Sequence, residues 1–224
     1  MFMDELIKYL QSTFAGSNLS PSEFDFSSEY HLRLELGEGF ENGTLERVDQ
    51  STARAKTIFE VFFAQDDDVW VWVNKCDLDG VLEFFSATEG YFEQQILDYS
   101  TLDVQHREEV VVEDEYEVVN DDGVTETIKP ILTFKQTIFK QKLIKIKYEN
   151  ILRAIANLEM GFEPAINERI FFINKRNNAV FFMYDDRGCL VYSPNRDLLL
   201  PVYKKHNDWL VDYHRPVFDK MFDC

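Results

Sequence analysis

Apolar positions near the start of the chain fall at helical spacing. Leu6, Ile7, Leu10 and Phe14 share one face, which predicts a helix over residues 4–14. After a Ser20-Pro21-Ser22 loop the period drops to two. Over residues 29–36, Tyr30, Leu32, Leu34 and Leu36 face one way and Glu29, His31, Arg33 and Glu35 the other, the pattern of a half-buried strand. Glycines at 37, 39 and 43 mark a loop. A second helix is predicted over 51–65, with Ser51 or Thr52 as its cap and Ala55, Ile58, Phe59, Phe62 and Phe63 as its apolar stripe. Asp66-Asp67-Asp68 ends it, 69–73 reads as a short aromatic strand, Asp77-Leu78-Asp79-Gly80 as a turn and 89–99 as a helix.

Two long extended segments follow, 106–119 and 124–148, joined through Asn120-Asp121-Asp122-Gly123 as a hairpin, with a bulge expected where the alternation changes phase near 139–143. A helix over 149–160 ends at Gly161. Strands at 169–173, 179–184 and 189–192 are separated by turn-forming runs and predict a three-strand meander. Residues 194–212 read as mostly helical, and a short helix starts at Pro216. Helices and strands mix without strict alternation. The fold class is therefore α+β: a mixed or antiparallel sheet with a long hairpin and a C-terminal meander, packed by helices in a single domain over 1–224.

Charge adds a boundary that hydropathy does not show. Residues 1–128 carry 30 Asp+Glu against 7 Lys+Arg, a net of −23, whereas 129–224 carry 11 against 16, a net of +5. The acidity of the whole chain, −18, thus belongs to its first part, and a sub-division near 128 is one way to read it. Such a region attracts cations and basic surfaces and repels nucleic acid and anionic membrane. The hairpin accounts for some of the asymmetry, because Glu108, Glu113, Glu115 and Glu117 face Lys129, Lys135 and Lys140 in sequence as cross-strand pairs. The 20 Phe, 10 Tyr and 3 Trp imply a large core, with some left over as interface anchors. Three scattered cysteines, Cys76, Cys189 and Cys224, argue against a disulfide framework and for a reducing cytosol. The amino terminus lacks a basic-then-apolar leader, and no stretch of about 18 apolar residues exists to span a membrane.

Several runs together resemble an uncharacterised bacterial family catalogued as domain of unknown function 3885. They are Leu32-Arg33-Leu34-Glu35-Leu36-Gly37, Arg54-Ala55-Lys56-Thr57-Ile58-Phe59-Glu60, Phe181-Phe182-Met183-Tyr184-Asp185-Asp186-Arg187-Gly188-Cys189, Leu198-Leu199-Leu200-Pro201-Val202-Tyr203 and Asn207-Asp208-Trp209-Leu210. The resemblance implies a bacterial protein of one domain. It brings no activity and no assigned catalytic residues.

Candidate chemistry is sparse. Asp185-Asp186-Arg187-Gly188 places adjacent carboxylates beside a guanidinium, which suits a divalent cation or a basic side chain. The same residues suit a tight turn: Asp tolerates its backbone, Gly takes a positive φ and Arg pairs locally. The turn reading weighs more, because adjacent strand residues point to opposite faces. Asp77-Leu78-Asp79-Gly80 fails as a calcium loop, since positions 82 and 88 hold Leu82 and Thr88 where Gly and Glu are needed. Gly37-Glu38-Gly39 lacks the third glycine of a dinucleotide fingerprint. Cys189 with His206 and Asp208 or Asp212 has no local support as a thiol triad. His31, His106, His206 and His214 form no ligand pair.

No catalytic residue, metal ligand or cofactor is assigned. The leading expectation is a non-enzymatic, cytoplasmic, acidic module that binds a basic protein, of which an immunity protein against a basic toxin is one version. Nucleic acid and membrane are excluded as partners on charge and hydropathy. The binding candidates are Asp185, Asp186 and Arg187 in the turn and Trp70 and Trp72 as aromatic anchors, with Phe84, Phe85, Tyr91 and Phe92 also in the acidic part. The alternatives are an enzyme of unrecognised type using Asp185, Asp186 and Arg187 with Glu35 and Arg33 in a cleft, or a nucleic-acid mimic whose carboxylates imitate phosphates.

Overall fold

The computed structural model describes residues 2–78, 87–112, 114–119 and 123–222. Six helices and nine strands are present among them: α1 (Phe2–Thr13), β1 (Tyr30–Glu35), α2 (Leu45–Phe62), β2 (Asp68–Leu78), α3 (Tyr91–Gln94), β3 (Gln105–Val112), β4 (Tyr116–Val119), β5 (Thr125–Ile128), β6 (Ile131–Lys142), α4 (Tyr148–Met160), β7 (Arg169–Asn174), β8 (Ala179–Asp185), β9 (Gly188–Ser193), α5 (Arg196–Lys205) and α6 (Arg215–Phe222). Seven strands form one antiparallel sheet in the order β1-β9-β8-β7-β2-β6-β3, and β4 and β5 pair as a separate ribbon. The class is α+β, and the meander β7-β8-β9 sits where the short apolar runs between turns place it.

Both faces of the sheet are covered over β2, β7, β8 and β9. Val69, Val71 and Val73 of β2 point into a core shared with α2 and α4. Trp70 and Trp72 point the other way, into a core closed by α1 and by Phe14, Phe24 and Phe26. β7 divides in the same manner, Ile170 and Phe172 against Phe171 and Ile173. Two-sided burial explains why these strands read as continuous apolar runs. Phe59 anchors the first core, stacked on Phe63 at 4.4 Å and Tyr148 at 4.6 Å.

The same two-sidedness corrects the expected bulge. β6 pairs with β2 without a register break from Leu132 against Leu78 to Lys142 against Asp68. The phase change arises because Ile138 faces the α1 layer and Phe139 the α2 layer. Asp77 and Leu78 belong to β2 rather than to a turn, and the rest of that run, Asp79-Gly80, lies outside the described residues. The helix expected at 89–99 shrinks to α3. Beyond it, Leu97 N–H donates to Lys145 O at 2.8 Å and Lys147 N–H to Gln95 O at 2.8 Å, so this backbone pairs with a neighbour instead of coiling. α2 begins six residues before Ser51, at a cap where Thr44 Oγ1 accepts from Arg47 N–H. The hairpin exists as β3 against β6 and β4 against β5, with its Asn120-Asp121-Asp122 tip outside the described residues.

Strands from the acidic and the basic parts of the chain interleave in the sheet, so their charges meet. Lys140 and Lys142 of β6 lie 3.4 and 3.2 Å from the Asp68 carboxylate, and Lys135 lies 2.8 Å from Asp77. Lys145 pairs with Asp98 at 3.5 Å, and Arg153 with Asp49 at 2.6 Å. Such exposed pairs contribute about 0–1 kcal/mol each. Glu108 stands opposite Lys135 in register, and Lys129 reaches Glu115 at 3.4 Å.

Candidate functional site

The Asp185-Asp186-Arg187-Gly188 run forms the tight turn between β8 and β9, in which Asp185, Asp186 and Gly188 are buried and the Arg187 side chain is exposed. Arg187 bends back on Asp185. Its backbone N–H donates to Asp185 Oδ1 at 2.7 Å and its Nε to Oδ2 at 2.8 Å, while its Nη2 also reaches Glu159 at 3.3 Å. Asp186 points elsewhere. Its carboxylate is fully buried and accepts from Arg47 Nε at 2.5 Å. The two aspartates therefore do not converge on one ion; each is held by its own arginine. This corrects their pairing as a joint binding site, and the reason is the alternation of side chains at a strand end. Among the described residues no group of three His, Cys, Asp or Glu side chains is placed to hold a metal ion.

The turn is clamped by two other elements. Ser51 Oγ of α2 donates to Asp186 O at 2.7 Å, and Leu36 N–H donates to Arg187 O at 2.8 Å. Gly37 leaves the room this needs, since a Cβ there would lie 2.9 Å from both Asp186 O and Arg47 Nε. Gly188 is required for a different reason than expected. It does not take a positive φ; instead the Tyr184 ring crosses over it.

Beside the turn opens a cavity of about 390 Å³, bounded by Arg33, Glu35, Glu38, Arg47, Tyr184 and Arg187. Alternation on β1 that buries Leu32, Leu34 and Leu36 presents Arg33 and Glu35 to this side. Arg33 Nε donates to Tyr184 Oη at 3.1 Å, and its guanidinium lies 5.1 Å from the ring centre. Burial, followed by the charge of Glu38 and a hydrogen bond with it, holds the Glu35 carboxyl above its usual range. Arg54 Nη1 donates to Glu35 O at 3.1 Å and stacks on Trp209 at 4.8 Å, while Leu210 bridges to Leu34. The runs at 32–37, 54–60, 181–189 and 207–210 thus meet at one end of the sheet. The sequence offered Glu35 and Arg33 beside the turn; it did not offer Arg47, Ser51 or Tyr184.

The aromatic anchors fare differently. Trp72 is fully buried against Phe24, 5.1 Å between ring centres, and cannot meet a partner. Trp70 is almost as deeply placed, and Phe92 is buried too. Period-two alternation in a sheet covered on both faces sends both tryptophans inward. Phe84 and Phe85 lie outside the described residues, and Tyr91 is half-buried. Cys189 is buried in an apolar core that pushes its thiol up, so it is a packing residue.

The sequence model of a family described as "Domain of unknown function (DUF3885)" matches residues 6–214. The chain belongs to this family. One curated relative, the uncharacterized protein YnaE of Bacillus subtilis (strain 168), is 30% identical over 74 residues, which is 30% of this chain and 35% of the relative. The matched stretch therefore spans about a third of that protein. No solved structure matches the chain. Among the described residues, no helix of this family member is long and apolar enough to cross a membrane.

A second cavity, about 820 Å³, opens at the other end of β2 between Trp70, Lys175 and the Asp66-Asp67-Asp68 run. The middle carboxylate of that run is turned inward. Asp67 is buried and accepts from Arg176 Nε at 2.7 Å and Nη2 at 2.9 Å, from Asn174 at 2.7 Å and from Ala64 N–H at 2.8 Å. The Arg176 hydrogen bonds hold its carboxyl below the usual range, against the opposing effect of burial. A carboxyl that is more acidic folded than unfolded adds stability above its unfolded pKa of about 4 and loses it as the pH falls through the folded value. Asp67→Asn is accordingly expected to lower stability at neutral pH and to flatten the loss of stability below about pH 4. Chemical denaturation at a series of pH values checks this; parallel curves for the two proteins would contradict it.

Proposed function

We propose that this protein is a non-enzymatic acidic module of the bacterial cytoplasm that docks a basic protein through its long hairpin, residues 105–142. One observation carries the reading. Residues 108–126 hold nine carboxylates and no lysine or arginine. On β3 the exposed positions are His106, Glu108, Val110 and Val112, with Lys135 opposite Glu108 and Ile131 opposite Val112, so carboxylate and apolar surface share this side with one histidine and one lysine. Val119, on the ribbon of β4 and β5, is exposed as well. A basic partner gains attraction from the carboxylates and burial from the valines, which is the division of labour seen at steered interfaces. Immunity to a basic toxin is one form this role takes. Free thiols at Cys76 and Cys189 support a reducing compartment.

The reading is tested with a neutralised hairpin, Glu108→Gln, Asp114→Asn, Glu115→Gln and Glu117→Gln combined. A high-pI protein captured from the native host by the wild type should bind the variant with an association rate lower by about 10-fold or more. Its binding to the wild type should weaken when salt is raised from about 0.1 to 1 M, which shortens the screening length from about 10 to 3 Å. Equal rates for the two proteins, or binding indifferent to salt, would overturn it.

A further inference from the structure

We infer that the cavity beside the β8–β9 turn is a binding site for a small oxyanion, a carboxylate or a phosphate monoester, held by Arg33 with Arg47, Arg187 and the Tyr184 hydroxyl. In a chain at −18 with ten arginines, three line this one cavity of about 390 Å³. That volume falls within the roughly 300–1,000 Å³ typical of small-ligand sites.

The arginines are fixed from behind. Arg47 is set by buried Asp186, and by the Phe40 carbonyl that accepts from its Nη1 at 2.9 Å. Arg187 is set by Asp185. Arg33 is the exception. It is half-buried, its Nε donates to Tyr184, and among the described residues its terminal nitrogens have no hydrogen bond and it makes no ion pair. A guanidinium carries five N–H donors in a planar fork that matches carboxylate and phosphate. A half-buried fork with four donors left unbonded within the protein is free to take the oxygens of an anion. Tyr184 accepts from Arg33 through its oxygen, and burial raises its pKa, so its own proton remains to be donated.

Glu35 and Glu38 stand at the same cavity and oppose an anion. Both therefore limit what the cavity accepts. The preference for a small anion follows from this mixed wall. A polyanion would meet Glu35, Glu38 and the acidic surface beyond them, whereas one oxyanion group can sit on the arginines alone. This site is independent of the hairpin, and either role can fail without the other.

The probes are inorganic phosphate and malonate, titrated into the full chain by calorimetry at constant ionic strength set with chloride. At least one should bind the wild type in the millimolar range or tighter, and at least about 10-fold more weakly to Arg33→Gln. Arg33→Lys, which keeps the charge and loses the fork, should lie between them. Lys204→Gln, an equal charge change on exposed α5, should match the wild type. Thermal melts of each variant without ligand confirm that it is folded. Phosphate binding alone assigns a phosphoryl ligand, and malonate binding alone a carboxylate. Binding of neither, or equal binding to wild type and Arg33→Gln, overturns the assignment.

Discussion

Arg47→Ala is expected to cost about 3–5 kcal/mol, the range for removing one partner of a buried ion pair. The Asp186 carboxylate is fully buried, and Arg47 is its one ion-pair partner among the described residues, with Asp186 Oδ1 accepting no hydrogen bond there. Taking Arg47 away leaves a charge with neither water nor counterion. At 2–4 °C per kcal/mol for a chain of this length, the melting temperature should fall by roughly 6–20 °C. Adding Asp186→Asn to Arg47→Ala should restore part of the loss, since an amide needs no counterion. A change of about 0.5 kcal/mol or less, the size of an ordinary surface substitution, would mean that the pair does not hold the turn.

Gly188→Ala is expected to cost about 3 kcal/mol, the upper end for forcing atoms into a packed site. A Cβ at 188 would lie 2.1 Å from Tyr184 Oη and 2.6 Å from Leu34 O. The first contact is with a side-chain tip. The second is with the backbone of β1, which pairs with β9 here as Glu35 against Gly188. Swinging Tyr184 aside would relieve one clash and would also break its bond from Arg33. Tyr184→Phe in the Gly188→Ala background should therefore recover only part of the stability. A urea-denaturation double-mutant cycle measures the coupling, and additive costs would show that ring and glycine do not touch.

Much of the fold was legible along the chain. β1 stood out because its period two was clean, and the meander because short apolar runs were bounded by glycine or Asx turns. The fourth helix was equally plain, with Ile151, Leu152 and Ile155 inward and Gly161 at its end. Errors fell where another part of the molecule set the local structure. Residues 95–97 had helical spacing, yet hydrogen bonds to 145 and 147 outweighed it. β6 looked bulged because burial changed sides along a regular strand.

The candidate site was legible in part. Asp185 to Gly188 announced a turn, and Arg33 and Glu35 were named beside it. Arg47 gave no signal, because its partner lies 139 residues away and nothing local marks an arginine in a first helical turn as a counterion. Trp70 and Trp72 misled for a related reason: an aromatic in an acidic stretch reads as an anchor only until a helix is found over it.

What the chain determined alone was periodicity, turn chemistry and the location of its charge, all of which depend on neighbours within a few residues. Tertiary structure decided which strands are buried on both faces, which carboxylates meet an arginine and where a cavity remains. Those outcomes depend on contacts between segments more than a hundred residues apart, such as β1 with β9 and Arg47 with Asp186. No local pattern encodes the free energy of bringing such segments together.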